Sequence, residues 1–255
     1  MAKTILDFQI IDNKQLNKNF FILELASGLT LPKIDPGQFV QVRIDGSSDT
    51  FLRRPFSVHD VNYETNSIKL LIQIAGEGTK ALSLTRKGDI INMIFPLGNS
   101  FSLPTKSERT ILVGGGCGVA PLLYLAKYLK SNSYEFDILM GFRNRDRIIE
   151  YEEYNKLGRV FLTTEDGSEG EKGFVTNHSI LNENKYSRIY CCGPESMMKA
   201  VAEYSRKHEI HCEVSLENLM ACGIGVCLCC VVNTTNGNVC SCTEGPVFNI
   251  NNLKW

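Results

Sequence analysis

The pattern of hydrophobic segments changes near residue 102, and this change constrains the fold more than any other feature. Before it, short runs rich in Val, Ile, Leu and Phe are separated by turns. These runs are FFILELA, QFVQVRI, PFSVHDV, SIKLLIQIA and DIINMIF. Short strands at regular spacing are typical of a closed barrel or a sandwich. We therefore predict an all-β domain, a barrel or a sandwich, over residues 1–101.

From Glu108 onward, strands alternate with helices. RTILVGGG, EFDILMGF, RVFLTTED and SRIYCCGP have the character of strands, and APLLYLAKYLK, IIEYEEYNKL and ESMMKAVAEYSRKH have helical spacing. This alternation predicts an α/β domain with a doubly wound parallel sheet over residues 102–213. The remaining segment, 214–255, is too small to bury a core of its own. We expect it to form a third domain that is ordered by a metal or by a neighbouring domain.

Charge and hydropathy narrow the possible partners. The net charge is −1, and Lys and Arg are scattered, which argues against nucleic acid or an anionic membrane surface as the main partner. The segment MAKTILDFQIID lacks the apolar stretch of a signal peptide. The two long uncharged runs are interrupted by Gly, Pro or Asn, so neither is expected to span a membrane. We expect a soluble, cytoplasmic protein.

Cysteines are concentrated at the end of the chain, where six of the ten lie between Cys222 and Cys242. Without an export signal, reduced thiols or metal ligation is a better interpretation than a disulfide framework. Cys222, Cys227 and Cys230 give the spacing C-x4-C-x2-C, and Cys242 follows after eleven residues. This is the plant-type [2Fe–2S] spacing.

Two alternatives to the iron–sulfur cluster remain open. Zinc also suits C-x2-C and C-x-C pairs, and would use Cys227, Cys230, Cys240 and Cys242. Alternatively, the cysteines could be buried thiols that bind no metal. Cys229 and Cys240 lie outside the iron–sulfur spacing, and we expect them to be packing residues.

Glycines between a strand and a helix predict a nucleotide site in the second domain. In ILVGGGCGVAPLL these are Gly114, Gly115, Gly116 and Gly118. Such glycines let the backbone approach a pyrophosphate, although Val119 stands where a dinucleotide fingerprint has its third glycine. CCGPESMM repeats the strand-to-helix transition and places Cys192 at the same crevice. The alternative for the glycines is a tight turn without a ligand.

Two motifs in the first domain are weaker. RRPFSVHD can place the Arg54 guanidinium on a phosphate and the Ser57 hydroxyl near a flavin ring, or can be an exposed strand edge. In AGEGTKALS, Gly78 and Thr79 lie at the start of a short helix, where backbone N–H groups can bind an anion. An ordinary loop with a threonine cap explains that motif equally well.

Taken together and in order, RPFS, GEGT, GGGCGVAP, TEDGS and CGPESMM resemble the ferredoxin reductase family of flavoproteins. The tail, SLENLMACGIGVCLCC to VCSCTEGPVF, is similar to that of the electron-transfer subunits of class B dihydroorotate dehydrogenases within that family. The resemblance covers about residues 5–250. It implies that the first domain is an FAD-binding antiparallel β-barrel. It also implies FAD, a [2Fe–2S] cluster and NAD as cofactors.

The resemblance also implies residue roles. Binding of FAD is assigned to Arg54, Pro55, Phe56, Ser57, Leu71, Ile72, Gln73, Gly78 and Thr79. Binding of NAD is assigned to Gly114, Gly115, Gly116, Gly118, Cys192, Gly193, Pro194 and Glu195. The iron ligands are Cys222, Cys227, Cys230 and Cys242, and Ser57 and Cys192 are the expected catalytic residues. Many relatives have Tyr in place of Phe56, so a hydroxyl hydrogen bond is lost there while stacking on the flavin is kept.

In such a complex, an FMN-containing dihydroorotate dehydrogenase catalytic subunit oxidises dihydroorotate, and electrons run through the cluster and FAD to NAD+. The resemblance implies a heterotetramer with that subunit. One alternative is an electron-transfer subunit of an NAD(P)H:ferredoxin, sulfide or hydrogenase-type oxidoreductase. Another is a non-catalytic redox sensor or zinc-stabilised binding module. Arg143, Arg145 and Arg147 could recognise the 2′-phosphate of NADP, but we expect NAD.

Overall fold

The computed structural model describes residues 3–45, 50–183 and 185–255. The chain divides into two compact units. One comprises residues up to Ser100 together with Asn218–Val232 and Asn238–Pro246, and the other comprises Phe101–Glu217, Asn233–Gly237 and Val247–Trp255. The three-domain division expected from the sequence stays a prediction.

The first unit is built on a seven-stranded antiparallel sheet with the order β4-β3-β7-β1-β2-β6-β5. Its strands are β1 (Thr4–Asn17), β2 (Phe20–Ala26), β3 (Phe39–Val42), β4 (Arg54–Ser57), β5 (Asp60–Asn62), β6 (Ser67–Gln73) and β7 (Ile90–Leu97), and its helix is α1 (Glu77–Ser83). β4 lies close to β6, so the sheet curls into a half-barrel. Phe8, Phe21 and Phe95 are buried in its core. The barrel-like β fold is confirmed.

The second unit contains a parallel sheet with the order β11-β10-β9-β8-β12-β13. Its strands are β8 (Thr110–Gly115), β9 (Phe136–Phe142), β10 (Arg159–Thr164), β11 (Glu171–Lys172), β12 (Arg188–Cys192) and β13 (His211–Ser215). Its helices are α2 (Ala120–Ser131), α3 (Tyr151–Asn155), α4 (Ile180–Glu183) and α5 (Glu195–Lys207). The strand order reverses between β8 and β12, which confirms the doubly wound α/β fold.

The end of the chain contributes to both units. β14 (Val231–Thr234) and β15 (Gly237–Cys240) form a two-stranded hairpin, and β16 (Val247–Asn249) pairs antiparallel with β13. Within the first unit, Cys230, Cys240 and Cys242 pack against Phe39 of β3 and Leu97 of β7. A segment with too little apolar surface for its own core thus gains one from the half-barrel.

Membrane insertion through helices has no support in the described residues, since none of their helices has the length and apolar character that a bilayer requires.

Candidate functional site

The face formed by β4 and β6 brings together two of the predicted flavin segments. Arg54, Pro55, Phe56 and Ser57 make up β4, at the edge of the sheet, and each is partly exposed. Leu71, Ile72 and Gln73 end β6, where only Gln73 is exposed. An edge strand with accessible side chains is suited to a flat ligand. The sequence-predicted residues therefore lie where a flavin ring could be bound.

The start of α1 is organised by Thr79. Its hydroxyl oxygen accepts hydrogen bonds from the backbone N–H groups of Ala75 (2.9 Å) and Gly76 (3.1 Å), and it donates to the Gly76 carbonyl (3.0 Å). Gly78 is buried, and a Cβ added there would lie 3.2 Å from Thr50 Cγ2. The Thr79 hydroxyl thus shapes the loop before the helix rather than facing outward as a ligand group.

The carboxyl ends of β8 and β12 bring the two predicted nucleotide segments into contact. A Cβ on Gly118 would lie 2.3 Å from the Cys192 carbonyl oxygen, and a Cβ on Gly115 would lie 2.4 Å from Met197 Sδ. Gly193 has φ +156°, and its own Cβ would lie 3.1 Å from Gly115 Cα. Only glycines permit this approach. The crevice lies at the reversal of strand order, where open α/β sheets bind ligands.

Cys192 is a buried, neutral thiol at that crevice. Burial, together with the negative charge of Glu217, raises the pKa of Cys192 well above its ordinary value. The side chain of Ser215, its cross-strand neighbour on β13, hydrogen-bonds to it. Cys192 therefore presents a neutral thiol rather than a thiolate at neutral pH.

Sequence reasoning missed two residues that shape this crevice. The hydroxyl of Tyr154, from α3, donates a hydrogen bond to the carbonyl of Val119 and so fixes the turn after the glycines. Glu217 follows β13, and its charge acts on Cys192. Its position just after a strand at the ligand edge was a signal that could have identified Glu217, whereas Tyr154 depends on a contact between residues distant in sequence.

The arginines after β9 are partly engaged by the protein itself. Arg145 forms a salt bridge of 2.9 Å with Glu169, and its backbone N–H donates to the Ser168 hydroxyl at 2.8 Å. Asp166 accepts from that hydroxyl at 2.6 Å. The loop TEDGS is therefore held against the segment that begins with Arg143. The charge of Arg145 is already paired without a 2′-phosphate.

The cysteine-rich loop begins with a pair of thiols, Cys222 and Cys227, that hydrogen-bond to each other. The Cys222 sulfur also accepts from the backbone N–H groups of Ile224 (3.4 Å) and Cys227 (3.5 Å). Burial raises the pKa of Cys222, but these donors outweigh it and lower the pKa to about 6. Gly223 and Gly225, at φ +68° and +88°, turn the backbone around this sulfur.

A second pair of thiols is formed by Cys230 and Cys242, which are both buried. The two thiols hydrogen-bond to each other. Burial and the neighbouring Cys230 raise the pKa of Cys242. Burial also acts to raise the pKa of Cys230, but hydrogen bonds from Cys242 and Ser241 outweigh it, so the pKa of Cys230 is lowered. Cys240 is buried beside this pair and also hydrogen-bonds to Cys230. Cys229 is exposed, contrary to the expectation that it packs in a core.

The chemistry of this donor set fits a [2Fe–2S] cluster. Among the described residues, no three Cys, His, Asp or Glu side chains converge closely enough to hold a single metal ion as they stand. Instead, four thiols form two pairs, and a [2Fe–2S] cluster takes two thiolates on each of its irons. The lowered pKa of Cys222 favours the thiolate that such ligation needs.

Comparison with known proteins decides the family. The chain is 43% identical over 222 residues to the "Dihydroorotate dehydrogenase B (NAD(+)), electron transfer subunit" of Caldanaerobacter subterraneus subsp. tengcongensis, covering 85% of each chain. It is 36% identical over 246 residues to the protein of the same name from Lysinibacillus sphaericus, covering 94% of this chain and 95% of that one. The chain belongs to the dihydroorotate dehydrogenase B electron transfer subunit family.

Family models match two parts of this dihydroorotate dehydrogenase B family member. The iron–sulfur cluster binding domain of dihydroorotate dehydrogenase B matches residues 217–254, and the oxidoreductase NAD-binding domain matches residues 112–203. The first range includes all four cysteines of the two thiol pairs, and the second includes both segments of the nucleotide crevice. The family resemblance expected from the sequence is confirmed.

A solved structure supports the fold over the whole chain. The structure titled "Insights into flavin-based electron bifurcation via the NADH-dependent reduced ferredoxin-NADP oxidoreductase structure" has 30% sequence identity and a TM-score of 0.88. The match covers 100% of this chain and 92% of that one. The ferredoxin-reductase-like architecture of an antiparallel half-barrel, a parallel α/β sheet and an iron–sulfur tail is therefore shared.

Proposed function

We propose that this chain is the electron-transfer subunit of an NAD-dependent dihydroorotate dehydrogenase of pyrimidine biosynthesis. It would pass electrons from the FMN of a catalytic subunit, by way of a [2Fe–2S] cluster and FAD, to NAD+. The observation that carries the proposal is the pairing of four thiols in a tail matched by the family's iron–sulfur domain. Relatives at up to 43% identity carry the corresponding name.

The tail would hold the cluster through Cys222 and Cys227 on one iron and Cys230 and Cys242 on the other. Backbone N–H groups aimed at the Cys222 sulfur stabilise negative charge there. The second pair is shielded by Phe39 and Leu97, which keep water away from one side. The tail thus combines a polar, accessible pair with a dry, buried one.

The half-barrel would hold FAD. Its flavin ring exchanges a hydride with NAD and single electrons with the cluster, and so links two-electron to one-electron chemistry. The accessible strand Arg54–Ser57 would bind along it, with Arg54 at phosphate, Phe56 stacked on the ring and Ser57 near the reactive nitrogen. Leu71, Ile72 and Gln73 would line the ring, and Gly78 and Thr79 would receive the pyrophosphate.

The α/β unit would orient NAD. Gly114, Gly115, Gly116 and Gly118 would bring backbone close to the pyrophosphate, and Cys192, Gly193, Pro194 and Glu195 would border the nicotinamide. Cys192 is neutral there, so its thiol can pack against the nicotinamide without adding a charge. The names of the relatives include NAD(+), which supports NAD rather than NADP as the nucleotide.

The partner would be an FMN-containing catalytic subunit, with two copies of each chain in a heterotetramer. Among the relatives, the words "electron transfer subunit" imply a catalytic counterpart. We place the complex in the cytoplasm. None of the ten cysteines, all of which lie among the described residues, forms a disulfide, as is usual in a reducing compartment.

Co-expression with the catalytic subunit encoded by the same organism tests this proposal. The purified complex should contain FMN, FAD and iron, and should reduce NAD+ when dihydroorotate is added. The catalytic subunit alone should not reduce NAD+. A complex with full cofactor content that oxidises dihydroorotate no faster with NAD+ than without it would contradict the proposal.

A second candidate function is supported by the structural likeness to the NADH-dependent reduced ferredoxin-NADP oxidoreductase. In that case the partner would deliver electrons from ferredoxin rather than from dihydroorotate. Assaying the purified native complex with reduced ferredoxin and with dihydroorotate separates the two. Turnover with ferredoxin alone would favour the second candidate.

A further inference from the structure

Gln41, in β3, is a buried polar side chain. Its exposed fraction is 0%, and neither its amide nitrogen nor its amide oxygen has a hydrogen-bond partner among the described residues. An unpaired buried amide opposes folding, so a native protein that keeps one needs a reason for it, such as a bound water, an ion or a redox group. The half-barrel therefore has a donor and an acceptor that none of its described residues uses.

The Gln41 amide lies against the cysteine-rich loop. A Cβ added to Gly223 would lie 2.6 Å from Gln41 Cγ and 2.8 Å from Gln41 Nε2. Gly223 directly follows Cys222 and has φ +68°. Because a side chain at this position would fill the space, glycine leaves the amide in contact with the loop backbone beside the first cysteine.

Phe39, on the same face of β3 as Gln41, also lies against the cysteine tail. Side chains two residues apart on a strand share a face, so Phe39 and Gln41 lie together. Phe39 packs against Cys230, Cys240 and Cys242. One face of β3 thus contacts the cysteine tail at two successive positions, first through an apolar ring and then through an amide.

We propose that Gln41 is a positioning residue for the iron–sulfur cluster, with its amide nitrogen donating a hydrogen bond to a sulfur of the bound cluster or of its Cys222 ligand. The inference rests on the proposed function. Hydrogen bonds to cluster sulfurs are among the factors that set the reduction potential. A donor at this position stabilises the reduced, more negative cluster and raises the potential.

Gln38 provides a matched control. It is also buried in the half-barrel, but its amide nitrogen donates to the Gly98 carbonyl at 2.9 Å and its amide oxygen accepts from the Asp35 N–H at 2.8 Å. Gln38→Leu makes the same change of side chain as Gln41→Leu, but the amide that it removes makes its hydrogen bonds within the half-barrel. It is expected to lower the melting temperature without moving the cluster potential.

The test is an EPR-monitored redox titration of the full chain, carrying its flavin and cluster, as wild type, Gln41→Leu, Gln41→Glu and Gln38→Leu. We expect Gln41→Leu to lower the equilibrium constant for one-electron reduction about tenfold, which corresponds to 59 mV. Gln41→Glu has the same shape but adds negative charge, and should lower it further. Gln38→Leu should leave it at the wild-type value.

An unchanged potential in both Gln41 variants, with full iron content, overturns the inference, as does a shift confined to the flavin. If Gln41→Leu loses iron, Gln41→Glu decides the case. If both Gln41 variants lose iron but keep their flavin and their melting temperature, the result supports a role of Gln41 at the cluster. If they lose flavin as well, the result contradicts that role. Absence of a cluster from the wild type would overturn the proposed function and this inference together, while an unmoved potential in a loaded chain overturns this inference alone.

Discussion

At the scale of single residues, Cys222 and Cys240 separate the two metal hypotheses, because each belongs to only one ligand set. Cys222 lies in the iron–sulfur spacing and forms a thiol pair with Cys227. Cys240 belongs only to the zinc set and is buried beside Phe39.

Substitution of these two cysteines should therefore have opposite results. We expect Cys222→Ser to lose most of its iron and acid-labile sulfide, because one iron would keep a single thiolate. Cys240→Ala should retain both, with Cys229→Ser as an exposed control. Metal analysis of the purified variants is the measurement. Retention of metal by Cys222→Ser and its loss from Cys240→Ala would reverse the assignment in favour of zinc.

The acidity of Cys222 gives a second residue-scale prediction. Only the thiolate reacts with iodoacetamide, so the thiol should be inert well below pH 6 and should label fully above it. In the iron-free chain, labelling of Cys222 read by peptide mass spectrometry should be half-maximal near pH 6. A midpoint near the ordinary pKa of 9 would show that the Ile224 and Cys227 N–H groups do not stabilise the sulfur.

The site could be predicted from the sequence only where its chemistry is local. The cysteine spacing and the glycine run are contiguous motifs. The structure pairs the cysteines two by two and packs the glycine run against the segment that contains Cys192. Gln41 is an ordinary polar residue in a strand, and its isolation depends on a tail that is about 180 residues further along the chain. Glu217 and Tyr154 likewise act through contacts that no local pattern encodes.

At the scale of secondary-structure elements, the same distinction between local and distant interactions holds. The run FFILELA is β2 from end to end, and SIKLLIQ is β6. β1 was missed because charged and polar residues alternate along Thr4–Asn17, and only pairing with β2 and β7 makes it a strand. The predicted helix IIEYEEYNKL is helical only over Tyr151–Asn155, and PFSVHDV is divided between β4 and β5.

The close approach of β8 to β12 predicts a selective effect on nucleotide binding. In Gly118→Ala, the new Cβ would lie 2.3 Å from the Cys192 carbonyl, so the turn must shift. Overpacking of this kind costs about 1–3 kcal/mol. We expect the KM for NAD to rise about fivefold or more while flavin and iron content stay at wild-type levels. Steady-state kinetics measure the change.

Gly28→Ala serves as the control for that variant, since a Cβ there meets nothing within 4 Å. It should match the wild type in KM and in cofactor content. An unchanged KM in Gly118→Ala would mean that the glycine turn does not position NAD.

The start of α1 predicts a modest effect on FAD. Thr79→Val removes the hydroxyl that binds the N–H groups of Ala75 and Gly76, at a cost of about 1 kcal/mol. FAD affinity should fall about fivefold in fluorescence titration of the flavin-free chain. Thr79→Ser keeps the hydroxyl and should bind like the wild type. Equal FAD affinity in the wild type and in both variants would show that the start of α1 does not contribute to the flavin site.

At the scale of the whole molecule, the half-barrel both serves as a flavin-binding scaffold and covers the cysteine tail. β3 and β7 supply Phe39 and Leu97 to the core that holds Cys230 and Cys242. The order of the motifs predicted a reductase fold with an added tail. It could not predict that the half-barrel would provide the core of that tail, because this depends on which strand faces are left uncovered.

The central claim is that the tail carries a [2Fe–2S] cluster, and EPR of the reduced chain, purified anaerobically, tests it most directly. Iron and acid-labile sulfide should each approach about two per chain. Reduction should produce a signal that integrates to about one unpaired electron per chain. A flavin-loaded, folded chain that contains no iron and gives no such signal would contradict the account.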